Sequence, residues 1–210
     1  MWRNSLVFLI FVVLTTVFAE KFKEIDYSIV EKTSLPGVKL SIDIRLSKKV
    51  DKDFLREFAL FLKNSDKGKY KNIFICYYLP DMKVGSGAWA TTHFNPDLKV
   101  EILGMTLEQE KKLKSEKTEP DQKIIGKWKD ESPVVGAIWK IFEKNKKTYL
   151  QENYKDGSKS EKELLIKKEK GLTKYYKIDN RSGTYFIITE SGDLSIYDNE
   201  GFYMTLKRIK

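Results

Sequence analysis

The chain has a single histidine, His93, and it closes the run Gly85-Ser86-Gly87-Ala88-Trp89-Ala90-Thr91-Thr92-His93. Two glycines in three residues let a backbone approach a bound group closely. Thr91, Thr92 and His93 add two hydroxyls and an imidazole, so the segment is the chain's best catalytic candidate, with His93 as acid or base. The plainer reading is a bend followed by an edge strand. Trp89, Thr91 and His93 would then share one face, and Ala88, Ala90, Thr92 and Phe94 the other. Catalysis needs positioned partners, and none can be named from the residues around His93.

Other chemistries fail on residue type or spacing. One cysteine, Cys76, rules out a disulfide scaffold and a cysteine-based zinc site, and one histidine rules out a histidine-rich metal centre. Cys76 lies in Ile73-Phe74-Ile75-Cys76-Tyr77-Tyr78 with no basic neighbour to lower its pKa, which suits a small core hydrophobe better than a nucleophile. There is no Gly-x-Ser-x-Gly, Gly-x-Gly-x-x-Gly or phosphate-loop pattern. No cofactor and no metal site is expected. Carboxylate pairs such as Asp53/Glu57 and Glu161/Glu163 carry little meaning in a chain that is 33% charged.

The 39 Lys and Arg against 30 Asp and Glu give a net charge of +9. That balance invites a nucleic-acid reading. Only Arg3, Arg45, Arg56, Arg181 and Arg208 are arginines, however, and arginine is the residue suited to bidentate phosphate and base contacts. Lysine runs such as Lys167-Lys168-Glu169-Lys170 are interrupted by acids and read as a solubilising surface. No nucleic-acid partner is expected; a protein or a small molecule is.

Residues 1–19 read as a signal peptide. Arg3 supplies the positive start, Leu6 to Val17 an uncharged apolar run, and Val17-Phe18-Ala19 the cleavage pattern. The run is shorter than the roughly 20 residues a membrane-spanning helix needs. The expected product is a secreted or periplasmic protein with no membrane span.

Residues 20–116 form the first module. Val38, Leu40, Ile42, Ile44 and Leu46 alternate with Lys39, Ser41, Asp43 and Arg45, a strand with one buried face. Leu35-Pro36-Gly37 turns it back on a strand from Tyr27 to Glu31. Asp51 caps a helix whose apolar face is Phe54, Leu55, Phe58, Phe61 and Leu62. Strands follow at 70–79, 88–94 and 99–103, then a short helix opened by Thr106-Leu107-Glu108-Gln109. The expected architecture is α+β, an antiparallel sheet with one packed helix.

Residues 117–122 read as a linker. Residues 123–210 show eight short strand candidates separated by turns such as Asp156-Gly157-Ser158, Ser191-Gly192-Asp193 and Asp198-Asn199-Glu200-Gly201. Short turns at such spacing predict an all-β, eight-stranded, up-and-down meander or small barrel.

Ile125-Gly126-Lys127-Trp128 heads this module. A Gly-x-Trp on the first strand of an eight-stranded meander resembles the lipocalin and avidin-like barrels, and the resemblance covers residues 123–210. It implies a barrel with Trp128 packed across its closed end and a ligand site in its interior. The candidate lining is Trp128, Trp139, Tyr149, Tyr176 and Phe186. Strands this short enclose little beyond their own side chains, so the aromatics suit filling as well as binding. The run from Tyr78 to Phe94 resembles segments of uncharacterised bacterial exported proteins. The expected function is non-enzymatic binding of a partner or ligand through the barrel. The alternatives are a carrier for a small apolar ligand and an enzyme centred on His93 and the Gly85–Gly87 bend.

Overall fold

The structure, a computed structural model, describes residues 25–178 and 180–209. The signal-peptide segment, residues 1–19, lies outside the described residues. Among the described residues no helix is long and apolar enough to cross a membrane. The chain divides into two units between Thr106 and Leu107. The helix expected to end the first module therefore belongs to the second, ahead of the 117–122 segment.

In the first unit, β1 (Tyr27–Leu35) and β2 (Lys39–Leu46) form a hairpin. Gly37 turns it at a φ of 74°, a region that suits glycine. Leu40, Ile42, Ile44 and Leu46 are buried, as the alternation requires. Helix α1 (Lys52–Ser65) begins at Asp51, whose Oδ1 accepts the Phe54 N–H at 2.7 Å. Its buried stripe is Leu55, Phe58, Ala59 and Leu62, which joins the β2 residues in one core. Full burial of a side chain such as Leu55 or Phe58 contributes about 1.5–3 kcal/mol.

Strands β3 (Asn72–Tyr78), β4 (Ala90–Phe94) and β5 (Leu98–Ile102) complete a sheet of order β1-β2-β3-β4-β5. The sheet is mixed rather than antiparallel throughout, because β2 and β3 run parallel. The reason is α1 itself: a helical crossover between strands returns the chain to the same end of the sheet. β4 is not an edge strand; it lies between β3 and β5.

The second unit starts with α2 (Leu107–Lys114), which lies against the outside of β7 with Leu113 buried. Gln109 Nε2 donates to Lys155 O at 3.1 Å, and Lys129 reaches Glu110 at 3.2 Å. These bonds tie the helix to the strands that follow it.

Those strands are β6 (Lys123–Asp130), β7 (Ala137–Lys144), β8 (Lys147–Tyr154), β9 (Lys159–Glu169), β10 (Leu172–Lys177), β11 (Tyr185–Ile188), β12 (Leu194–Asp198) and β13 (Gly201–Ile209). Each pairs antiparallel with the next, and β13 returns to β6, so the meander closes into a barrel. Closure leaves no unpaired edge for another chain to add to. The tightest hairpins use paired left-handed residues, Asn145 with Lys146 and Lys170 with Gly171. That backbone matches the twist of the strands on either side.

Candidate functional site: the mouth of the barrel

Successive residues of a strand face opposite sides, so the strand register separates the barrel's interior from its wall. The interior holds Trp128, Ala137, Trp139, Ile141, Leu150, Leu164, Phe186, Leu194, Ile196 and Leu206 in one buried cluster. On β7 the alternate residues Ile138, Lys140 and Phe142 face outward, yet they too are buried. Lys140 Nζ there donates to Gln122 Oε1 at 2.8 Å.

One end of the barrel is shut. Trp128 Nε1 donates to Gly192 O at 2.8 Å, which ties β6 to the β11–β12 turn. Arg208 donates from its backbone N–H to Asp193 Oδ1 at 3.0 Å and from its guanidinium to Ile125 O at 3.1 Å. The Lys207 ammonium lies 3.1 Å from Asp193 Oδ2. These contacts hold the Asp193 carboxyl below its usual range, with the Arg208 N–H as the largest cause.

The other end carries the β6–β7, β8–β9 and β10–β11 connections and is polar inside. Trp139 and Phe186 meet edge to face, with ring centroids 5.9 Å apart. Lys177 extends from β10 so that its ammonium stands 5.5 Å from the Trp139 ring and 5.6 Å from the Phe186 ring. Both distances suit an attraction between a cation and a ring face. The same ammonium lies 3.3 Å from Glu152 Oε1. Tyr154 Oη donates to Glu152 Oε2 at 3.1 Å. Burial and the adjacent Glu152 push the Tyr154 phenol up to about 12. Asp130 is also buried on the inward face. Desolvation raises its pKa, the Ser132 N–H opposes this, and the charges of Glu131 and Glu152 add to it. Lys177 keeps 27% of its side-chain surface, so water reaches this end of the interior.

Trp139 is only 8% exposed, and its Nε1–H has no hydrogen-bond partner. A buried donor left unmade costs roughly 1–3 kcal/mol. Groups in that state commonly mark a position that a water or ligand completes.

Of the candidate lining residues, the structure brings Trp128, Trp139 and Phe186 into the interior. It places Tyr149 and Tyr176 on the outer wall. Tyr149 stacks on Phe142 at 5.6 Å, and Tyr176 packs beside Tyr185 at 5.2 Å under the Lys167 ammonium. Strand phase decides both: their neighbours Leu150 and Tyr175 take the inward positions. Glu152, Lys177, Tyr154 and Asp130 were not singled out by their residue types. The available signal was register, since Glu152 sits directly opposite Trp139.

The first unit offers less. His93 lies on the sheet face away from α1, its ring stacked on Phe74 at 4.0 Å. Its Nε2 is buried without a hydrogen-bond partner. Trp89 does not share the His93 face. It precedes β4, is fully buried in the core, and donates to Met105 O at 3.1 Å. Cys76 is half-buried on the open face rather than in the core. Burial and the Asp43 carboxylate both push its thiol pKa up, away from nucleophilic use.

The second unit is thus a closed eight-stranded antiparallel barrel, tied shut at one end and lined with charge at the other. Comparison with family models, curated proteins and solved structures finds no match for this chain.

Proposed function

We propose that this is a non-enzymatic, exported, calycin-like binding protein that takes a small ligand at the charged end of its barrel. The observation that carries the reading is the unpartnered Trp139 N–H, buried beside the Glu152–Lys177 pair and against Phe186. A few convergent polar groups over an apolar floor are what a small-molecule site needs. Export rests on the sequence of residues 1–19.

A purely apolar ligand fits less well, because it would remove solvent from Glu152 and Asp130 without replacing their interactions. Catalysis at His93 fits less well too, because its neighbour is the Phe74 ring. The test is a ligand screen on the full chain, read by tryptophan fluorescence and by native mass spectrometry. Saturable binding that Trp139→Phe weakens supports the mouth. Binding indifferent to Trp139→Phe and Lys177→Met, or a screen without saturable binding, overturns it.

A further inference from the structure

Lys177 occupies a box with the chemistry of a cation site. The Trp139 and Phe186 rings, in contact edge to face, both lie within reach of its ammonium on one side, and Glu152 supplies the negative charge. Asp130, buried on β6 in register with Ala137 and through it with Tyr154, stands at the same end of the barrel as Glu152 and adds a second carboxyl group. The 3.3 Å contact between Lys177 and Glu152 is longer than the roughly 2.7–2.9 Å of a strong charge-assisted hydrogen bond. Lys177 is also the most solvent-accessible member of the pair, at 27% against 9% for Glu152. It is therefore the group that can swing outward.

Building on the mouth as a binding site, we infer that its ligand is a small alkylammonium compound bearing an oxygen acceptor. The ligand's ammonium takes the place of the Lys177 ammonium, beside the Trp139 and Phe186 rings and against Glu152. Its oxygen accepts the Trp139 N–H, the one donor in the box without a partner. An anionic ligand would instead meet Glu152 and Asp130 at close range. A neutral ligand would leave Glu152 unpaired once Lys177 moved.

Three probes that share a methoxypropyl chain separate these cases: 3-methoxypropylammonium, neutral butyl methyl ether and the anion 4-methoxybutanoate. The readout is the Trp139 indole N–H resonance of the ¹⁵N-labelled full chain, assigned with Trp139→Phe. The expected result is a saturable shift with the ammonium probe alone. Lys177→Met removes the internal competitor and tightens that binding at least about tenfold, while Glu152→Gln weakens it by at least about tenfold. Lys177→Gln serves as a second variant should Lys177→Met fold poorly. A shift with either of the other two probes that matches the ammonium overturns the amine assignment but leaves the mouth as a binding site. No shift with any of the three also overturns the amine assignment, and the broader screen then decides the mouth. Binding indifferent to Glu152→Gln overturns it as well.

Discussion

A Cβ placed on Gly126 would stand 2.5 Å from Cη2 and Cζ2 of Trp128. The two residues lie two apart on one strand and so share the inward face, and the indole folds back over its own glycine. The Gly-x-Trp pattern is therefore one packing unit, held from its other end by the hydrogen bond to Gly192. The first unit repeats the device across a longer separation, where a Cβ on Gly104 would stand 2.6 Å from Trp89 Cδ1.

Gly126→Ala pushes the Trp128 ring off this seat. Overpacking a filled core costs about 1–3 kcal/mol. The urea midpoint should fall accordingly, and the near-ultraviolet dichroism of the tryptophans should change. An unchanged midpoint would show that the ring has room to move.

Lys177 and Glu152 should be coupled in stability. Lys177→Met leaves Glu152 with Tyr154 as its donor and should cost about 1–3 kcal/mol. The double variant Lys177→Met/Glu152→Leu should recover part of that loss, since neither charge is then left alone. Additive losses in the double-mutant cycle would mean that the two groups do not interact in solution.

Asp130 gives a pH dependence with a definite sign. Its folded pKa lies above the ordinary value of 3.8, chiefly because it is buried. Between those two values the folded state binds more protons than the unfolded state, so stability falls as pH rises. Asp130→Asn keeps an acceptor for the Ser132 N–H and removes the charge. The variant should gain stability over the parent at pH 7 and lose that advantage below about pH 3.8, as followed by thermal melts. An equal difference at both pH values would refute this.

Asp193 should behave in the opposite way. Its lowered pKa means that its contribution is present above the ordinary 3.8 and is lost as pH falls through the folded value. Asp193→Asn should lower the melting temperature at pH 7 and matter little in strong acid. A pH-independent effect would show that the hydrogen bond to Arg208 acts without the charge.

Cys76 should react slowly with iodoacetamide at pH 8, because burial and Asp43 both disfavour its thiolate. Asp43→Asn removes one of those causes and should speed the reaction. A rate equal to that of a free thiol would place Cys76 in a different environment.

Strict alternation in β2, helical spacing in α1 and short turns between the later strands were local signals, and each element formed where its period pointed. Periodicity says nothing about which strands meet. The parallel β2–β3 pairing and the interior position of β4 depend on contacts far apart in sequence. The same limit applied to the site. Trp139 and Phe186 were legible as large aromatics on strands. Tyr149 and Tyr176 looked equivalent to them and fell on the wall, because one residue of phase reverses a side chain's face.

By itself the sequence determined two units, an α+β sheet followed by eight short strands, with Gly126-Lys127-Trp128 on the first of those strands. Only the tertiary structure decided which expectation held, a meander or a closed barrel, that the Trp128 ring lies over Gly126, and that Lys177 reaches Glu152 beside the Trp139 and Phe186 rings. A charged residue on a half-buried strand reads as solvent-facing until closure turns its face inward, and closure is a property of all eight strands together.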